Sequence, residues 1–190
     1  RPGLFFDFTR YRPTIYTVEG QRQVNVPNVN IRYGIGPGEH DFIFLHLLEP
    51  HLNSEGYIHS IVKILEQFNV KQYCLVGSMY DLVPHTKPVL VTGAATGTDM
   101  FEQLKNLGVH SSTYEGPTSI TSLVSQEANK LGIETMALIA HLPQYAQMEF
   151  DHIGRLRILD LLCKLYDLDM DLARVRMRAK HQSEEISSAM

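Results

Sequence analysis

Tyr114-Glu115-Gly116-Pro117-Thr118-Ser119-Ile120-Thr121 carries the chain out of a polar loop and into a helix, and this loop–helix passage with its succeeding strand decides the fold. Ile120, Leu123, Val124, Ala128 and Leu131 recur at helical spacing and form one apolar face, and Gly132 ends the helix. Glu134 to Ala140 then reads as a buried strand, an apolar run too short for a helix. Hydroxyls at Thr118, Ser119, Thr121 and Ser122 surround the helix start, where unpaired backbone N–H groups and the positive end of the helix dipole collect. Two readings stand side by side. Thr118 or Ser119 is an N-cap, or the helix start receives an anion or a substrate oxygen.

The alternation of helix and strand extends upstream. Asp99 to Leu107 predicts a short helix stopped at Gly108, and Val89-Leu90-Val91-Thr92 and Tyr73 to Gly77 predict buried strands. Ser54 to Phe68 predicts a helix with Ile58, Ile61, Val62, Leu65 and Phe68 on its core face. Asp41-Phe42-Ile43-Phe44-Leu45-His46-Leu47 has the near-continuous apolar character of a strand buried on both faces. Strands alternating with helices imply parallel pairing through right-handed crossovers. Ahead of these, Thr14–Val18, the turn Glu19-Gly20 and Gln23–Val26 predict an antiparallel ribbon with one wet face. Asn30–Tyr33 adds a short strand that Gly34-Ile35-Gly36-Pro37-Gly38 breaks. Downstream, Asp151 to Tyr166 is a leucine-striped helix, Asp169 to about Lys180 a mixed-charge one, and Ser183 to Met190 a polar, frayed end. The expected organisation is an α/β core over residues 1–150 and C-terminal helices over 151–190. Arg1 leads within a few residues into Leu4-Phe5-Phe6-Asp7-Phe8, which reads as the middle of a fold and suggests a preceding segment.

The 190 residues carry a formal net charge of −4, which argues against nucleic acid as the main partner, because phosphate binding needs a basic face. No apolar run approaches the ~20 residues of a membrane span, and no signal peptide is visible at the N-terminus. Cys74 and Cys163 both sit in apolar runs and read as buried free thiols, a disulfide being the lesser alternative, and free thiols fit a reducing cytoplasm.

Ligands of open α/β sheets bind beyond the carboxyl ends of the strands. The residues just beyond each predicted strand are polar: Glu49 and His51; Ser78, Tyr80, Asp81, His85 and Thr86; Gly93-Ala94-Ala95-Thr96-Gly97; His141 and Tyr145; and, before the Thr118 helix, Tyr114 and Glu115. Acids, histidines and tyrosines gathered at one sheet edge would make a polar cleft. Its catalytic candidates are His85, Glu115, Asp81 and Glu49, and its binding candidates are Tyr114, Glu115, Gly116, Thr118, Ser119, Ser78 and Thr86. Each has a plain structural alternative: Glu49-Pro50 caps the next helix, Asp81 closes a turn, and His85 and Glu115 bond the backbone of their own loops. Familiar signatures are missing. Gly93-Ala94-Ala95-Thr96-Gly97-Thr98 lacks the lysine of a phosphate loop, Gly34-Ile35-Gly36-Pro37-Gly38 precedes no helix, and no Gly-x-Ser-x-Gly elbow occurs. His46, Glu49 and His51 match no metal spacing, and Cys74, in mid-strand, is a poor nucleophile. No cofactor or metal is expected.

Leu75-Val76-Gly77-Ser78, the loop through Asp81, Val83, Pro84, His85, Thr86 and Pro88, then Val91-Thr92-Gly93 and Tyr114-Glu115-Gly116-Pro117 resemble the proteasome assembly chaperone 2 family. Phe6-Asp7-Phe8, Arg12-Pro13-Thr14 and Glu49-Pro50 are similar to its bacterial branch. The resemblance covers about Phe6 to Tyr145, and more loosely the terminal helices. It implies a three-layer α/β/α fold with a mainly parallel sheet, similar to nucleoside phosphorylases and hydrolases, and a homo-oligomer, often built on threes. It also implies that a strand, a Gly-rich loop and a helix precede Arg1. Eukaryotic and archaeal relatives assist proteasome assembly. Some archaeal ones dock through a C-terminal hydrophobic-Tyr-any-residue tail, which Ser187-Ser188-Ala189-Met190 does not match. The implied function is a non-enzymatic, cytoplasmic assembly or scaffold protein with a protein client and neither nucleic acid nor membrane as partner. The alternative is a hydrolase- or phosphorylase-type enzyme on a small polar, nucleoside-like substrate. In that case His85 would be the acid–base group, Glu115 or Glu49 would orient it, and the Thr118 helix start would hold an oxyanion.

Overall fold

A computed structural model describes residues 1–39 and 41–189. In chain order the main elements are β1 (Thr14–Val18), β2 (Gln21–Asn25), β3 (Asn30–Gly34), β4 (Phe42–His46), α1 (Ser54–Gln67), β5 (Gln72–Asp81), β6 (Val91–Ala95), α2 (Thr98–Asn106), β7 (His110–Ser111), α3 (Ile120–Lys130), β8 (Glu134–Pro143), α4 (His152–Tyr166) and α5 (Ala173–Ser188). They fall into two compact units, Arg1–Val70 with Pro117–Leu131, and Lys71–Gly116 with Gly132–Met190.

In the first unit, α1 packs on α3. Tyr57, Ile61, Val62 and Leu65 of α1 and Ile120, Val124 and Ala128 of α3 are buried, as the helical spacing requires. Phe6 and Tyr57 are buried, with the Phe5, Phe6 and Tyr57 rings edge to face, and the Tyr57 hydroxyl donates to the Leu48 carbonyl at 2.9 Å. Two antiparallel ribbons complete the unit. In the β1–β2 hairpin, Glu19 (φ 49°) and Gly20 (φ 79°) supply the two left-handed residues that a tight two-residue turn needs. β4 departs from the sequence expectation. Among the described residues it pairs only with β3, antiparallel, and Phe44 is exposed; it is not a doubly buried strand of the main sheet. Its apolar run instead stacks Phe42 on Phe44 along one side of its own ribbon, with ring centroids 6.1 Å apart.

The second unit holds a four-stranded mixed sheet in the order β5-β8-β6-β7. β5 runs parallel to β8 over ten residue pairs, β8 antiparallel to β6, and β6 parallel to β7. The antiparallel member has a local cause. Only a loop, with no crossover helix, joins β5 to β6, so β6 returns in the opposite direction. One face of the sheet builds the core: Val91, Met136, Leu138, Ala140 and Leu142 pack with Leu104, Val109, Ile158 and Leu161. Gly93 has no room for a side chain, since a Cβ there would lie 2.4 Å from the Ala137 carbonyl oxygen.

The polar C-terminus is ordered into helix as far as Ser188 rather than fraying after Ser183. Buried Gln182 explains part of this. Its Oε1 accepts from the His152 and Ile153 amides at 2.6 and 3.2 Å, capping α4, and its Nε2 donates to the Phe150 carbonyl at 2.9 Å. Cys74 and Cys163 are free and half-buried, and burial pushes the Cys74 thiol up to about 11, far from a reactive thiolate. Among the described residues, no helix is long and apolar enough to cross a membrane.

Candidate functional site

Strand direction sorts the polar residues. β5 and β8 end together, at Asp81 and Pro143, and antiparallel β6 begins at that same edge. Asp81, His141 and Thr92 therefore meet there. The Thr96 loop that succeeds β6 lies at the opposite edge, where the Thr96 hydroxyl accepts from the Thr135 amide at 2.8 Å. β7 runs with β6, so Tyr114 and Glu115 also come after strands that end at that far edge. The polar residues expected at one edge are divided between two.

At the first edge, Asp81 Oδ2 lies 2.7 Å from His141 Nδ1, and His141 Nε2 lies 2.8 Å from Thr92 Oγ1. Asp81 Oδ1 also accepts from the Leu82 amide at 2.7 Å. The hydrogen bond from His141, then that from the Leu82 amide, hold the Asp81 carboxyl below the usual carboxylate range. An ionised carboxylate can only accept, so it fixes the proton of neutral His141 on Nδ1. Nε2 is left with a lone pair aimed at the Thr92 hydroxyl. The three side chains share one sheet face because alternate residues project to opposite sides: Asp81 and His141 lie diagonally across the β5–β8 pair, as do His141 and Thr92 across β8–β6. The His141 side chain is only 11% exposed and that of Asp81 39%.

The remaining candidates are scattered. His85 donates its backbone N–H to the Tyr145 hydroxyl at 2.7 Å, and its Nδ1 lies 2.8 Å from the same oxygen. Its Nε2 faces the Ser187 hydroxyl at 3.4 Å. A cavity of about 30 Å3 beside it, lined by Val83, Lys87, His141, Ile153 and Ile186, has room for about one water rather than a nucleoside. Ser78 and Thr86 are exposed, and Ser78 projects from the face of β5 opposite to Asp81. Glu115 is exposed, and the Tyr114 phenol lies over Gly116, where a Cβ would come within 2.5 Å of the hydroxyl.

In the first unit, both carboxylate oxygens of Glu49 accept from the Ile120 amide, at 3.0 and 3.1 Å. The start of α3 thus holds an anion, and the anion is the chain's own carboxylate. Ser119 stands at the N-cap position without a side-chain capping bond. Its hydroxyl is 2.5 Å from that of Thr121, and the Thr118 hydroxyl donates to Ser122 at 2.7 Å. Among the described residues, no group of three or more His, Cys, Asp or Glu could hold a metal ion.

Sequence reasoning noted His141 but missed Thr92 as its partner. The available signal was the helix-free connection between β5 and β6, which turns β6 around and brings its first residues, not its last, to the Asp81 edge.

The mixed sheet, its flanking helices and the polar edge define an α/β protein. A PAC2 family model matches residues 2–190, and the chain belongs to that family. The structure is similar to that of a PAC2 family protein from Streptomyces avermitilis (TM-score 0.90, 21% identity, covering 100% of this chain and 80% of that one). It is similar to a proteasome-assembly chaperone homologue from Mycobacterium tuberculosis (TM-score 0.86, 23% identity, 98% of this chain and 79% of that one). A third similar structure is an archaeal proteasome activator from Pyrococcus furiosus (TM-score 0.71, 16% identity, 93% of this chain and 76% of that one). No curated protein matches the chain in sequence.

Proposed function

We propose that this chain is an assembly or scaffold protein that works as a homo-oligomer and binds a protein client, in the manner its proteasome-related relatives suggest. The observation that carries the reading is the uncovered apolar surface of the first unit's ribbons. Ile15 and Val24, a cross-strand pair, are 56% and 60% exposed, and Tyr16 and Val18 on the other side of the same hairpin are exposed too. Ile31, Tyr33 and Phe44 stand uncovered on β3–β4. A lone two-stranded ribbon is marginal in water, and apolar side chains exposed on both its sides favour a protein partner. A three-layer architecture akin to nucleoside phosphorylases and a cytoplasmic setting belong to the same proposal. Placing lysines at Ile15 and Val24 tests it: the oligomer should dissociate or lose its client while circular dichroism of the chain is unchanged.

A further inference from the structure

We infer that Asp81, His141 and Thr92 form an acyl-transfer relay, with Thr92 Oγ1 as nucleophile and an uncharged ester as substrate. The geometry has the order of parts that such chemistry needs: a carboxylate on one imidazole nitrogen at 2.7 Å, a hydroxyl on the other at 2.8 Å, and a carboxylate that fixes the tautomer. Both distances lie within the reach of proton transfer. The histidine is largely shielded, so its two bonds are not diluted by water. Thr92 is half-buried between its register partners Ile139 and His110, and two residues on, Ala94 is exposed opposite Ala137. The negative charge of the Asp81 carboxylate disfavours anionic donors such as phosphate esters and favours a neutral acyl carbon.

In the first half, Thr92 Oγ1 bonds to the acyl carbon while its proton passes to His141 Nε2. The ester C–O bond breaks, and the leaving alcohol takes that proton. In the second half, water attacks acyl-Thr92, gives a proton to Nε2 and releases the acid, and Thr92 regains its hydrogen. Asp81 stays ionised throughout and steadies the transient imidazolium. No oxidant, reductant or metal enters.

The test is acetylation of the intact protein by p-nitrophenyl acetate, read by intact mass and peptide mapping. The expected result is one acetyl group on Thr92. Thr92→Ser should keep the label, and Thr92→Val and His141→Gln should remove it. Asp81→Asn should slow it by about 10^2- to 10^4-fold, since an amide no longer imposes the tautomer. Circular dichroism and thermal melts show that each variant is folded, and the Ser variant preserves the reading if Val misfolds. Acetyl found only on lysines or the N-terminus, or a Thr92 label unaffected by His141→Gln, overturns the inference.

Discussion

Replacing Gly93 with alanine asks whether the β6–β8 pairing is as tight as its geometry implies. A Cβ at Gly93 would lie 2.4 Å from the Ala137 carbonyl oxygen and 3.0 Å from Val109 Cγ1. The nearer contact is backbone, held in a strand pair and unable to swing aside as a side chain would. Relief needs the two strands to part by several tenths of an ångström, across a core in which Val91, Leu138 and Ala140 are 0%, 0% and 1% exposed. Overpacking of this kind costs about 1–3 kcal/mol. For a chain of this size that is a fall in Tm of roughly 2–12 °C, at ~2–4 °C per kcal/mol. Gly38→Ala is the control, because nothing stands within 4 Å of its Cβ position and its φ is not positive. It should move stability by less than ~0.5 kcal/mol. Urea and thermal unfolding followed by circular dichroism measure both. A Gly93→Ala protein as stable as Gly38→Ala would refute the close approach and the strand register that rests on it.

Single contacts give three more expected outcomes. Glu49→Ala removes the acceptor of the Ile120 amide and should cost about 0.5–2 kcal/mol in urea denaturation, with Glu49→Gln milder because its amide oxygen still accepts. Gln182→Leu strands the part-buried His152 and Ile153 amides and should cost about 1–3 kcal/mol, measured by the shift of the urea midpoint. Asp81 has a carboxyl depressed in the folded state, so its stabilising contribution is present above the unfolded value of about 3.9 and is lost as pH falls through the lower folded value. Unfolding free energies measured across that acid range should show a smaller loss in Asp81→Asn than in the wild type, the remainder coming from carboxyls such as Asp7 and Asp41 that are also depressed.

Local elements were legible because they rest on local physics. The spacing of Ile61, Val62 and Leu65, the Glu19-Gly20 turn and the short apolar run from Glu134 to Ala140 each state their own structure. Partner choice was not legible. The Phe42–His46 run is apolar enough for a central strand, yet it pairs within a ribbon, because hydrophobicity sets burial tendency and not which strand lies alongside. The same gap hid the relay. Asp81 and His141 could be named from their places after strands, but Thr92 joins them only because β6 runs antiparallel, a non-local fact. Glu49 at the start of α3 is similar: helix-cap chemistry was readable at Ser119, and an acceptor 71 residues upstream was not. The paired loop motifs around Pro84-His85-Thr86 and Tyr114-Glu115-Gly116-Pro117 carried the family likeness that physics alone could not.

Native mass spectrometry of the full-length protein, purified gently from its own host, tests the assembly role most directly, with the Ile15→Lys, Val24→Lys double variant beside it. The expected result is a homo-oligomer that retains a protein client in the wild type and a folded monomer in the variant. A wild-type protein that stays monomeric and client-free at micromolar concentration, indistinguishable from the variant, would contradict that role.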